Sequence, residues 1–287
     1  MAAGNHIENP FEYFIHGLSD AFAHVGRPRD DAAQAAARVE PQVRRLEVSD
    51  LRSALKMGLA DFGAARDDVV FLAVIYPLAG LMLAALAMQM ALLPLILPML
   101  TGFAIVGPLA AVGLYEISRR REAGEEVNWA DAAHVFRSPA LGSIMAMGLV
   151  LIALFVAWVA VAYALGVAAF ATEAPATAGS FLRQMFATGE GGRMVAIGVA
   201  VGFVFALAAF VVSAVSFPLL VDRHVDMDVA IRTSIRVVAE NPGVMAMWAL
   251  IVAATLAIGA LPALLGLIVV VPVLGPATWH LYRKAVV

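Results

Sequence analysis

The chain has 287 residues, 62% of them hydrophobic and 14% charged, with a net charge of −3 and no cysteine. Soluble domains carry roughly 45–50% apolar and about 25% charged residues, so this is the composition of a membrane protein. Without cysteine, disulfides, iron–sulfur clusters and thiolate metal sites are excluded. The small net charge gives no electrostatic reason to expect a nucleic-acid partner.

Charge is densest in residues 1–68. The first residues have neither a basic n-region nor an apolar h-region, so no cleaved signal peptide is expected. Residues 9–25 predict a short amphipathic helix. Phe11, Phe14, Ile15, Leu18 and Phe22 form one apolar stripe. Such a helix rests on the bilayer or on its own protein, or it docks a partner. Residues 26–45, rich in Ala, Arg and Asp, read as a flexible linker. Residues 1–48 are thus a cytoplasmic N-terminal region and 49–287 a membrane domain.

Within 49–287 a pattern recurs three times, over about 49–122, 128–224 and 228–284. A short amphipathic segment with basic residues leads into two apolar stretches, then proline, then charge. The first unit opens at Ser49-Asp50, with Leu51, Leu55, Leu59 and Phe62 as an apolar stripe beside Arg52 and Lys56. That pattern suits a helix at the cytoplasmic interface. Spans follow at about 69–90 and 93–115, each near the ~20 residues that cross the hydrocarbon core.

The second unit begins with Trp129, Ala133 and Phe136 on one helical face, and has spans at about 142–168 and 194–220. Its outer connector, 171–193, predicts a short interfacial helix around Phe181, Leu182, Met185 and Phe186. The third opens with Ile231-Arg232-Thr233-Ser234-Ile235-Arg236, which repeats the order of Leu51-Arg52-Ser53-Ala54-Leu55-Lys56. Asn241-Pro242 then starts the fifth span, with Asn as the cap and Pro in the first turn. Residues 243–282 contain no Asp, Glu, Lys or Arg, a stretch too long for one span and right for two. The expected fold is all-α: a polytopic helical bundle of six transmembrane helices in three parallel two-span repeats, each preceded by a cytoplasmic interfacial amphipathic helix. Lys and Arg gather in the connectors between repeats and at both ends, which places both termini in the cytoplasm of a bacterial inner-membrane protein.

Candidate chemistry is sparse. Of the histidines (His6, His16, His24, His134, His224 and His280), only His280 lies near a span. One histidine cannot assemble a haem, copper or zinc site, so no metal and no cofactor is expected. Ionisable residues deep in a span would mark a transport path; the polar side chains near or within the spans are instead Gln89, Thr101, Ser143, Ser213, Ser216 and Thr255. Proline and glycine in the second and sixth spans either permit close packing or open backbone groups to a substrate. No catalytic constellation is present.

The span ends hold the remaining polar information. Glu116, Arg119, Asp222, Arg223, His280 and Arg283 fall at one membrane face as a candidate polar cluster, with Lys284 beside them. The arginines serve positive-inside anchoring. Glu116 and Asp222 add nothing to orientation, which points to pairing between repeats.

The stretches Asp50-Leu51…Asp61-Phe62, Ile75-Tyr76-Pro77, Gly102-Phe103…Gly107-Pro108, Leu114-Tyr115-Glu116…Arg119-Arg120-Arg121-Glu122, Ser216-Phe217-Pro218-Leu219-Leu220-Val221-Asp222-Arg223 and Pro272…Pro276…Trp279-His280-Leu281-Tyr282-Arg283 resemble an uncharacterised bacterial integral-membrane family, domain of unknown function 2189. The resemblance covers about residues 45–285. Some members of that family carry the label of cytochrome c oxidase subunits. A catalytic oxidase subunit needs several membrane histidines, so the resemblance implies an accessory or assembly role.

The leading expectation is therefore a non-enzymatic accessory, scaffold or assembly protein of a membrane complex. Its partners would be the lipid bilayer and a membrane protein, with a respiratory oxidase as one candidate. The alternative is a transporter or channel for a small neutral or lipid-like solute. A weaker third reading is a lipid-acting enzyme using Glu116, Asp222 and His280.

Overall fold

The computed structural model describes residues 37–64, 74–89, 95–169, 179–180, 183, 185 and 189–287. The predicted helix carrying Phe11, Phe14, Ile15, Leu18 and Phe22, and most of the outer connector 171–193, lie outside the described residues.

The described residues are mostly helical and hold no strand beyond one isolated antiparallel bridge between Val43 and Val286. In chain order the α-helices are α1 (Val48–Ala64), α2 (Ile75–Gln89), α3 (Ile96–Ala110), α4 (Val112–Glu122), α5 (Leu141–Ala169), α6 (Gly189–Ser213), α7 (Ser216–Arg223), α8 (Met227–Glu240), α9 (Pro242–Ala260) and α10 (Leu267–Ala285). A 3-10 helix, Trp129–Arg137, stands between α4 and α5. Four stretches are long and apolar enough to cross a membrane: Ile96–Glu122, Leu141–Ala168, Gly191–Arg223 and Pro242–Ala260. Large apolar side chains on their outer faces, such as Leu149, Val199, Phe203 and Leu250, are exposed, as lipid-facing residues are.

Two of the helix breaks have a proline within a turn of them. Pro108 and Pro218 each lack the N–H that would close a helical turn. The α3–α4 break falls at Ala111, three residues after Pro108, and the α6–α7 break at Ala214-Val215, just before Pro218. Pro272 and Pro276 sit inside α10 without dividing it. Beyond the breaks, the chain forms a buried cap: Leu114, Tyr115 and Ile117 of α4, Phe217, Leu219 and Leu220 of α7, and Trp279, Leu281 and Tyr282 of α10 are all buried.

Three short amphipathic elements pack on this cap, two against the helix just before them in the chain and the first against the last helix. The 3-10 helix lies on α4, where Gly113 faces Ala132. Helix α8 lies on the α6–α7 break, where Ser216 Oγ donates to the Ala230 carbonyl at 3.0 Å. Helix α1 runs antiparallel to the last turns of α10. Lys284 Nζ is 3.3 Å from Asp50 Oδ1, and Gly58 abuts Val273 and Ala277. The first helix of the described chain thereby closes on the last.

Two expectations for these elements need correction. The second is a nine-residue 3-10 helix, not the α-helical turn whose spacing put Trp129, Ala133 and Phe136 on one face, and Asn128 and Asp131 form a capping box at its start. The inner face of α1 is Leu51, Ala54 and Gly58, whereas Leu59 of the predicted stripe is 59% exposed. Close approach to α10 selects small residues on the inner face and turns Leu59 outward.

Residues 37–45, the end of the segment read as a linker, are strapped to α8 and to the C-terminus. Arg44 N–H donates to the Ala285 carbonyl at 2.9 Å, and Glu40 pairs with Arg232 and Arg236. Asn241 stands between α8 and α9, but its side chain does not cap the start of α9; its Nδ2 donates back to the Val237 carbonyl of α8 at 3.1 Å. Its Oδ1 accepts from Leu46 N–H at 2.6 Å and its Nδ2 donates to the Arg44 carbonyl at 3.2 Å.

Candidate functional site at the charged helix ends

Glu116 lies on α4, one turn past the break, and is 5% exposed. Arg119 grips both its oxygens, Nε to Oε2 at 2.8 Å and Nη2 to Oε1 at 2.7 Å, and Arg120 Nε adds a third bond at 2.8 Å. The i+3 and i+4 spacings put both guanidinium groups on the carboxylate's side of the helix. Charge-assisted, bidentate bonds of this kind are what allow a carboxylate to be buried. Arg120 continues outward to Asp131 of the 3-10 helix at 3.5 Å and to Glu125 at 3.3 Å.

Asp222 ends α7. The Tyr282 hydroxyl donates to its Oδ2 at 2.6 Å, and Arg283 Nη1 approaches the same oxygen at 3.1 Å. Its sequence neighbour Arg223 stays at 3.8 Å. Arg283 also donates through Nε to Glu122 Oε1 at 3.0 Å, while the Trp279 indole N–H donates to Glu122 Oε2 at 2.7 Å. Spacings of one, three and four residues place Trp279, Tyr282 and Arg283 together at the end of α10, so that helix joins α4 and α7.

His280 is not part of that junction. Its Nε2 lies 2.8 Å from Asp61 Oδ2 of α1, and Arg121 of α4 donates to the Asp61 carbonyl at 2.9 Å. Lys284, one residue past Arg283, turns to Asp50. The Glu47 N–H that Asp50 accepts at 2.9 Å holds its carboxyl below the ordinary Asp value, and Lys284 acts in the same sense against the opposing effect of burial.

The residues singled out from the sequence thus divide among three clusters. Glu116 with Arg119 is one, Asp222 with Arg283 and loosely Arg223 is another, and His280 belongs to a third. Sequence reasoning missed Asp50, Asp61, Glu122, Trp279 and Tyr282 as members. The signal was available. Asp61 and Glu122, like Glu116, are acids bordering apolar stretches, where a carboxylate needs a partner.

Three of the hydroxyls in the spans are turned to their own helices, whereas Ser216 also reaches the Ala230 carbonyl of α8. Thr101, Ser213 and Thr255 each donate to the carbonyl four residues back. In the interior, the Trp158 indole N–H donates to the Pro98 carbonyl at 2.9 Å, tying α5 to α3. Ser118 lines a recess of about 10 Å³ with Asp61, Arg121, Pro272 and Pro276, room for about one water molecule.

No curated protein and no solved structure matches the chain. The family whose members the sequence resembles does match, over a narrower stretch than 45–285: residues 95–222, from α3 to the end of α7, fit the model of the family described as "Predicted integral membrane protein (DUF2189)".

Proposed function

We propose that this chain is a six-span inner-membrane accessory, scaffold or assembly protein with both termini in the cytoplasm. The observation that carries the proposal is where its polar side chains are spent. Asp61, Glu122 and Asp222 each bond side chains of α10, and Asp61 also engages α4. These bonds build a rigid face from helix ends. A catalytic or transport site would need such groups held in reserve for a substrate.

Six spans follow when α2 and α10 join the four longer stretches. Helix α2 is short, and α10 carries Trp279, Tyr282, Arg283 and Lys284 at one end, an aromatic and basic boundary of the kind that sits at headgroups. The packing of each amphipathic element on another hairpin, with α1 returning to α10, favours three units arranged in a ring. Association with a respiratory terminal oxidase rests on the family resemblance alone.

Purification of the tagged protein in mild detergent tests the proposal. The expected result is a defined membrane-protein partner at constant stoichiometry, identified by mass spectrometry. Recovery of a lone monomer, together with solute uptake by proteoliposomes containing it, would replace the scaffold reading with the transporter reading. Unchanged oxidase activity in a deletion strain would remove the respiratory version only.

A further inference from the structure

Helices α1 and α8 share one pattern, and the structure treats their cations differently. In α8, Arg232 lies 2.7 Å from Glu40 and 2.8 Å from Asp228, and Arg236 lies 3.5 Å from Glu40 and 3.6 Å from Glu240. The strap that brings Glu40 across α8 neutralises both. The matching cations of α1 are Arg52 and Lys56, which are exposed and have no carboxylate partner among the described residues. Carboxylates are close by in sequence, but each is engaged elsewhere: Asp50 by Lys284, Asp61 by His280 and Arg121, and Glu47 by the Ser49 hydroxyl.

Position adds a second argument. Arg52, Lys56 and Leu59 stand at i, i+4 and i+7, one stripe opposite the face that packs on α10. Asp50 is level with Lys284, whereas Gly58 is level with Ala277 and Val273. The stripe therefore rises from the charged end of α10 toward its apolar part. At ~1.5 Å per residue, Leu59 lies about 10 Å deeper along the helix than Arg52. Cations below and an exposed leucine above match the order of phosphate and acyl chain in a leaflet.

We propose that the outer face of α1 is a binding surface for anionic lipid headgroups, with Arg52 and Lys56 holding the phosphate and Leu59 in the acyl chains. The inference rests on the membrane placement of α10 given above, and it goes beyond it by naming one helix and one lipid class. The neutralised counterpart on α8 makes the surface one-sided, so anionic lipid gathers at one edge of the molecule.

The absence of cysteine from the chain allows a direct test. The full-length Leu59→Cys variant, labelled with a small fluorophore, is placed in nanodiscs in which brominated phosphatidylglycerol or brominated phosphatidylcholine is titrated over the same range of mole fractions. Phosphatidylglycerol should quench at lower mole fraction, by about fivefold per cation, the attraction typical of Lys or Arg at an anionic surface. Adding Arg52→Gln and Lys56→Gln should bring the two lipids level. Arg232→Gln with Arg236→Gln should leave the preference intact, and so should the charge-conserving exchange Arg52→Lys with Lys56→Arg. Equal quenching by both lipids in the otherwise unsubstituted protein overturns the proposal while leaving the membrane placement standing. A preference that survives removal of both cations overturns it as well. No quenching by either lipid shows that α1 does not face lipid, and the placement falls with the proposal.

Discussion

Gly58 of α1 lies so close to Ala277 of α10 that a Cβ on the glycine would meet the Ala277 backbone nitrogen at 2.6 Å and the Val273 carbonyl oxygen at 2.7 Å. Both obstacles are backbone, so no side-chain rotation can relieve them. Gly58→Ala must push the helices apart. Overpacking of this kind costs typically 1–3 kcal/mol, more than alanine returns in helix propensity. Gly63, one and a half turns on, has nothing within 4 Å of its virtual Cβ. Gly63→Ala should be neutral or slightly stabilising. Thermal unfolding in detergent should rank Gly63→Ala at or above the unsubstituted protein and Gly58→Ala below it. The reverse order would mean that α1 is not seated against α10.

The Asp222 junction predicts coupling. Tyr282→Phe removes the hydroxyl donor but leaves Arg283 on Asp222, so about 1.5–3 kcal/mol, the range for a hydrogen bond to a charged group, is expected. Asp222→Asn weakens both contacts together. In the Asp222→Asn background the phenol has already lost its charged acceptor, so the two losses should fall short of additive in the double variant by about 0.5 kcal/mol or more. Chemical or thermal unfolding of the four-membered cycle measures this. Additivity within ~0.3 kcal/mol would show that Tyr282 and Asp222 act independently.

What the sequence made legible follows from the range of the forces involved. Spans declare themselves through hydropathy, a local property summed over neighbours. Arg119 and Arg120 find Glu116 within a helical turn, so that cluster could be placed by spacing. Trp279 and Glu122, or His280 and Asp61, meet only after the whole bundle has closed. Their residue types offered no local pattern to connect them. Asn241 shows the opposite error: Asn-Pro reads as a helix cap at short range, but a strap arriving from residues 44–46 occupies its amide. The direction in which α1 faces was also illegible, because leucine periodicity marks an apolar face without saying which neighbour needs small residues.

Asp50 predicts a pH dependence. Its folded carboxyl titrates below the ordinary value of 3.8, chiefly through the Glu47 N–H and then through Lys284. A depressed acid contributes stability that is fully present above its unfolded value and lost as pH falls through the folded one. The clasp between α1 and α10 should hold above about pH 4 and weaken in stronger acid. Asp50→Asn keeps an acceptor for the Glu47 N–H and removes the charge facing Lys284. Its stability deficit should be present at pH 7 and should shrink on titration to pH 3. A deficit that is constant across this range would assign the effect to packing.

The break between α6 and α7 leaves backbone groups that one serine meets. Ser234 Oγ of α8 donates to the Val211 carbonyl at 2.8 Å and accepts from the Val215 N–H at 3.4 Å. In an unbroken helix those two backbone groups would bond each other; here the hydroxyl sits between them, in a site with 0% exposure at Ser234. Ser234→Ala leaves both without that partner away from water, at a cost of about 1–3 kcal/mol. The neighbouring Thr233 is as deeply buried, but its hydroxyl donates at 2.8 Å to the Val229 carbonyl of its own helix. Thr233→Val keeps the shape and removes only this local bond, so it should cost less. Hydrogen exchange separates the two further. Ser234→Ala should speed exchange at Val215 and its neighbours, while Thr233→Val should leave them protected. Equal costs with unchanged exchange at 211–216 would show that the break is stabilised by its apolar surroundings and not by the hydroxyl.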